Sequence, residues 1–386
     1  MGTRNIILYK WFNFFLGLSF YAPVAIIYFS QVSGSYTLGA SIIAITMIVS
    51  ALVEVPTGIW SDKMGRRRTI IIGSALTIMG GVVYALSQNY NWLVLGSILE
   101  GFSRSFFSGN NDAFLYESSI DAGARNNYDD FLGKAHSMEH LGIALGAVIG
   151  GFIATYSLRL SVSLTVIPLV GSLICSILMS ETRSQHTSAS NIYAHTKAAL
   201  KLFIHNKKLR LLSISDAISF ATGETSYQFR ATFFASIWPV WAIGLLNTAL
   251  QFGASISYYF SAWLIKKWGA EKLLVIRSIV GKISGLIAFG VPSVLSPIVT
   301  FFPSFLYGAG QVAKNTLMQN QFSSKQRATM SSLNSLLSNL TFAIATIMIG
   351  FVADKTTPQI ALLGITIISL PIVAIYWNIF ANHQET

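Results

Sequence analysis

The chain has 386 residues, 53% of them hydrophobic and 11% charged, with a formal net charge of +11. A soluble domain usually carries about 25% charged residues and a single soluble core stops growing near ~250–300 residues, so this much apolar sequence excludes a water-soluble globule and must face lipid. The basic residues lie in short clusters between apolar runs, a membrane topology rather than a nucleic-acid surface, and the lone Cys175 excludes a disulfide framework or a cysteine-rich metal site.

Runs of about 20 apolar residues are long enough to cross the hydrocarbon. In chain order they fall near 6–30, 38–60, 69–88, 92–117, 135–157, 160–180, 209–235, 240–266, 271–292, 296–318, 327–352 and 358–380. Backbone groups in hydrocarbon need internal partners and no run alternates as a barrel strand does, so each run is expected to be a helix. The aromatic-rich run after Lys10 lacks a small-residue cleavage pattern and reads as a retained first span. The expected fold is therefore an all-α integral membrane protein of twelve transmembrane helices in two six-helix, pseudo-symmetric halves.

Lysine and arginine set the sidedness. One set of loops holds Lys63 with Arg66, Arg67 and Arg68, then Arg125 and Lys134, then Lys197 to Arg210, then Lys266, Lys267 and Lys272, then Lys325 and Arg327. The other set holds little beyond Arg159 and Lys355. The first set and both termini are expected in the cytoplasm. The longest connection, 181–208, is a cytoplasmic linker between halves 1–180 and 209–386. Its later part spaces Ile192, Ala199, Leu202 and Phe203 at helical intervals among lysines, as an amphipathic surface helix does; a solvated linker is the plainer alternative.

The halves echo one another. Gly58, Asp62, Gly65, Arg66 and Arg67 follow the second run, and Lys266, Lys267, Gly269 and Lys272 follow the eighth. Paired six-span halves with a binding site at the midplane are a transporter architecture.

The stretch from Gly58 to Arg68 resembles the signature between the second and third spans of the major facilitator superfamily. The physics suits a gate. Gly58 lets a helix approach closely, Gly65 permits a tight turn, and the arginines offer forked donors to carboxylates. The resemblance implies a cytoplasmic latch of Asp62 and Arg66, with Glu117 as the partner of this basic loop. A purely topogenic basic loop is the alternative. The segment Ser108, Gly109, Asp112, Tyr116, Glu117 is similar to one in the drug:proton antiporter-like branch, as is the run of Arg327, Ala328 and Thr329 before the eleventh span. Gly142, Gly146 and Gly150 have the spacing of that branch's antiporter motif, although Ala147 stands where the motif has proline. Close helix packing explains these glycines equally well.

Ionisable residues inside spans are expensive and mark function by default. Here they are Glu54, Glu100, Arg104, Asp112, Glu139, His140, Asp216, Glu224, Arg230, Arg277, Lys282 and Lys314. The resemblance implies that the first, fourth, seventh and tenth spans line the cavity, which makes Arg104 and Glu224 the leading pair. Arg104 could instead pair with Glu100, four residues earlier on the same helix face. The substrate-binding candidates are Asn13, Tyr21, Arg104, Asn111, Glu224, Gln228, Tyr307 and Gln311. Asp112, Glu139 and Glu224 are the proton-coupling candidates, because a carboxyl in an apolar bundle is costly when charged and can exchange a proton near neutral pH.

No phosphate-binding loop and no metal-site spacing occurs in the sequence, so neither ATP, another cofactor nor a metal is expected. The expected activity is proton-coupled export of an amphiphilic, drug-like solute by a monomer in the plasma (inner) membrane, with protons, solute and lipid as partners and no nucleic acid. A symporter importing a sugar, metabolite or organic ion is the first alternative, and a non-transporting membrane sensor or scaffold the second.

Overall fold

The computed structural model describes residues 2–108, 110–182, 207–319 and 327–381; the 192–209 helix expected in the linker falls almost wholly outside them. No strand occurs among the described residues. The helices are α1 (Gly2–Gly17), α2 (Ala25–Ser33), α3 (Tyr36–Met64), α4 (Arg66–Leu86), α5 (Tyr90–Phe107), α6 (Asn110–Asp121), α7 (Tyr128–Tyr156), α8 (Leu158–Leu178) and α9 (Lys207–Phe234). They continue as α10 (Val240–Tyr259), α11 (Ser261–Trp268), α12 (Ala270–Gly290), α13 (Ser296–Val299), α14 (Ser304–Gln319), α15 (Arg327–Lys355), α16 (Pro358–Ile368) and α17 (Pro371–Ala381).

Read as membrane segments they make twelve, with α1 and α2, α5 and α6, α10 and α11, α13 and α14, and α16 and α17 each forming one. These five segments are broken where a continuous helix was expected. Pro23, Pro303 and Pro371 lie at three of the breaks and remove backbone donors. Broken backbone survives at depth only where the freed groups find partners. At the first break Leu18 N donates to Phe14 O at 3.1 Å, and Phe20 N donates to the Thr165 hydroxyl of α8 at 3.0 Å.

Polar N-caps start the helices on one side. The side chains of Ser35, Asn89 and Ser157 accept from Leu38, Trp92 and Leu160 amides at the heads of α3, α5 and α8, which satisfies one orphan donor each. On the other side, single glycines turn the chain. Gly65 (φ 97, ψ 152) separates α3 from α4, and Gly269 (φ 78, ψ 153) separates α11 from α12. Both use a conformation that is essentially glycine-only, at the two places where the sequence repeats itself.

Among the described residues, nine stretches are long and apolar enough to cross a membrane. The three segments outside that set are α5 with α6, α9, and α13 with α14, which carry Glu100, Arg104, Glu117, Asp216, Glu224 and Lys314. Elsewhere the outer faces are greasy: Leu160, Ile167 and Ile174 of α8 recur every seventh residue and are exposed, as a lipid-facing stripe should be.

Backbone contacts divide the chain into two compact units, Met1–Thr187 with Pro239–Thr248, and Ser188–Trp238 with Ala249–Thr386. In the first unit α4 packs on α5 and α8, α3 on α5, and α1 on α7. In the second α9 packs on α15, and α12 on α14, α16 and α17.

Candidate functional site

The Gly65 turn is the most densely bonded part of the first unit. Arg66 opens α4, and its Nε donates to Glu117 Oε1 of α6 at 3.2 Å. Its Nη1 donates to the Ser61 hydroxyl at 2.9 Å, Ser61 donates to Asn110 Oδ1, and the Asn110 amide returns to Arg66 O at 3.2 Å. The other Glu117 oxygen accepts from Thr182. Arg67 ties the turn to the end of α8: its amide donates to Glu181 Oε1 at 3.0 Å and its Nη2 to Ile177 O at 2.6 Å. A methyl group at Gly65 would meet the Glu181 carboxyl at 2.7 Å, so this position needs glycine for space as well as for φ. Gly58 is a correction: a methyl group there would meet nothing within 4 Å among the described residues, so close helix approach is not its reason. The side chain of Asp62 lies outside the described residues.

The glycines of α7 make a face for backbone. Methyl groups at Gly142, Gly146 and Gly150 would run into the main chain of Phe14, Ser19 and Phe20, along the end of α1 and its break. Gly151 and Gly244 meet Cα to Cα, the Phe152 and Trp241 rings stack at 5.9 Å, and the Thr248 hydroxyl donates to Ala144 O at 2.9 Å. Close packing, one of the two readings of the motif, accounts for these glycines.

Deeper in the first unit, Arg104 makes a two-pronged bond to Glu100 Oε1, at 3.1 Å from Nε and 2.9 Å from Nη2. The intrahelical bond to Glu100, given as the alternative in the sequence analysis, is present. The second Glu100 oxygen accepts from Tyr84 OH at 3.0 Å, and the Tyr21 ring lies 6.2 Å from that of Tyr84. Asn13 is buried and donates to Tyr9 O at 2.7 Å, within its own helix. Asn111 Oδ1 is buried without a partner among the described residues. Asp112 is exposed in the first turn of α6, where the helix N-terminus favours its charge. Glu139 faces His136 at 3.2 Å.

In the second unit Glu224 accepts from Gln228, one turn on, at 3.0 Å, and Arg230 lies 4.2 Å over the Tyr227 ring. Gln311 donates to Tyr307 OH at 3.1 Å along α14. Asp216 of α9 meets Lys314 of α14 at 2.8 Å and accepts from Asn334 of α15 at 2.9 Å; both charges of the pair are largely buried.

These polar groups sit on a helical frame with known relatives. Residues 12–313 match the Major Facilitator Superfamily model. The chain belongs to that superfamily. It is a multi-pass membrane transporter, not an enzyme. It is 33% identical over 87 residues to the inner membrane transport protein YajR of Escherichia coli (strain K12), a match that takes in 22% of this chain and 19% of that relative's length. The crystal structure of a mutant of the nucleoside transporter NupG superposes with a TM-score of 0.84, covering 97% of this chain and 100% of the other at 14% identity. Tetrameric PepTSo2 superposes at 0.74, covering 100% and 99% at 12% identity. At those identities the two structures speak for the fold alone.

Around the superfamily motif, the sequence reading gives no part in the latch to Ser61, Asn110, Glu181 or Thr182. Glu181 had a weak signal, as an acid directly after an apolar run; the three neutral residues had none. Tyr84, whose hydroxyl binds Glu100, is likewise one tyrosine among 15. A cleft lined by Tyr28, Gln31, Gln88, Tyr156 and Arg159 lies at the opposite end of the first unit from the Gly65 turn and contains none of the expected site residues.

Proposed function

We propose that this transporter moves an amphiphilic, drug-like organic solute by alternating access and exports it against a proton gradient, as the drug:proton antiporter-like branch does. In this reading the halves 1–180 and 209–386 rock about a midplane site, joined by linker 181–208. Both termini face the cytoplasm of a plasma (inner) membrane, and a monomer suffices. The observation that carries the reading is the uneven distribution of polarity. Charges and amides concentrate on α5 with α6, α9 and α14, the segments least able to face lipid. An aqueous path is the surrounding that makes such residues affordable at depth.

Glu224 is the proton carrier in this scheme, with Glu139 and Asp112 behind it. Its neighbour Gln228 suits either state. A side-chain amide donates to the charged carboxylate and, turned over, accepts from the protonated acid. The test is Glu224→Gln in proteoliposomes, with a compound that a thermal-shift screen shows to stabilise the wild type. Counterflow should survive, because exchange needs no net proton movement, while uphill transport driven by a pH gradient should stop. Undiminished uphill transport by the variant would remove Glu224, and a sodium gradient driving the wild type without pH dependence would remove the proton.

A further inference from the structure

The second unit contains a cation that no acid among the described residues pairs with. Arg277 projects from α12 one turn beyond Leu273, Leu274 and Val275, which pack on Ala309, Ala313 and Leu317 of α14. Seven residues of rise put it about 10 Å beyond the start of α12, within a stretch long and apolar enough to cross a membrane. The position opposite is Gly310. A methyl group there would run into Arg277 Cδ and lie 3.0 Å from both Nε and Nη1. Gly310 therefore opens the gap through which the arginine crosses α14. The guanidinium then lies 5.0 Å over the Tyr307 ring, and the Tyr258 ring stands edge-on to Tyr307 at 6.4 Å.

Among the described residues Arg277 makes no ion pair and no hydrogen bond; the Tyr307 ring is its one close partner. Two acids of the unit bind other groups, Asp216 with Lys314 and Asn334, and Glu224 with Gln228. Lys282, further along α12, donates to the Ser369 hydroxyl. An arginine at this depth costs roughly 2.5–3.5 kcal/mol on insertion scales unless it is paired or meets water. The face it reaches is the polar stripe of α14, where Tyr307, Gln311 and Lys314 recur at helical spacing and Tyr307 is exposed.

We infer that Arg277, held over Tyr307 by the gap at Gly310, is the anion-binding group of the transport path, and that the solute is an amphiphilic organic carboxylate. The inference rests on the transport reading above and narrows its solute class. A guanidinium offers paired donors that match a carboxylate. The Tyr258 and Tyr307 rings offer an apolar wall beside it, and the Gln311 amide offers a further polar contact. A few fixed polar groups on an aromatic wall are what an amphiphile needs.

The test uses the purified full-length chain and two isosteric probes, 2-naphthoate and its neutral amide, 2-naphthamide, with affinity read from the shift in melting temperature. The wild type should bind the anion at least about tenfold tighter than the amide, the expected size for a charge-assisted bond. Arg277→Gln should abolish that preference. Arg277→Lys keeps the charge without the fork and should bind the anion several-fold more weakly than wild type. Gly310→Ala keeps the arginine and displaces it, and should also lose the preference. A role in helix packing alone would lower the unliganded melting temperature of these variants and leave the ratio between the probes untouched. Equal binding of both probes to the wild type, or an unchanged ratio in Arg277→Gln or Gly310→Ala, overturns the inference. Failure of pH-driven export would remove proton coupling while leaving the binding ratio intact, so the two readings fail separately.

Discussion

The Gly65 turn and the Gly269 turn share a backbone and differ in chemistry. Both glycines combine positive φ with ψ near 150°, and both close a helix by an amide bond to the residue four back, at 3.1 Å and 2.8 Å. Around Gly65 the arginines are bound to Glu117, Glu181 and Ser61. Around Gly269 space is open, Lys266 and Lys267 are exposed, and Lys267 sits 4.8 Å over the Trp263 ring. A buried ion pair of the second unit lies instead between helices, as Asp216 and Lys314. Where the corresponding first and fourth segments meet, the first unit has a neutral bond from Asn5 to Ser118, at 3.3 Å. The repeat thus preserves the turn and relocates the charge. A tie at a turn, partly exposed, can break and re-form; a buried pair between helices cannot be broken cheaply.

The largest expected effect tests that asymmetry. Asp216→Asn or Lys314→Met alone strands a buried charge and should cost about 3–5 kcal/mol of stability, whereas the double replacement should recover most of it. Thermal unfolding of the four proteins measures the coupling, and additive losses would show that the pair is not a unit. Next come the turns. Gly269→Ala meets only the φ penalty, about 1–3 kcal/mol, while Gly65→Ala adds a collision with Glu181, so Gly65→Ala should melt lower. Equal melting temperatures would mean that the Glu181 contact is slack. The smallest structural change should be Arg66→Ala. It should slow transport about tenfold with solute affinity nearly unchanged, because a tie at one end biases a conformational equilibrium without touching the midplane. Collapse of binding in a folded protein would place Arg66 in the site instead.

Much of the architecture was legible because lipid imposes length and apolarity on every span. The turn at Gly65 was legible because its motif is dense and local. The breaks within spans were not, since Pro56 and Pro168 sit inside α3 and α8 while Pro23, Pro303 and Pro371 lie at breaks; whether a helix tolerates proline depends on neighbours such as Thr165, which no local pattern reveals. Gly58 fits its motif, yet nothing among the described residues crowds it. The bond from Arg104 to Glu100 was legible from their four-residue spacing on one helix. Arg277 was legible as a charge on a span but not as a visitor to another helix, because its reach depends on the missing methyl of Gly310.

The bonds from Glu181 and Thr182 set a length as well as a fold. Glu181 meets the turn after α3 and Thr182 meets Glu117 of α6, only three and four residues past the end of α8 at Leu178. A single-residue insertion or deletion between Leu178 and Glu181 would carry both groups out of register at once. In an evolving lineage, this short stretch should tolerate exchange of residue type far better than any change in the number of residues.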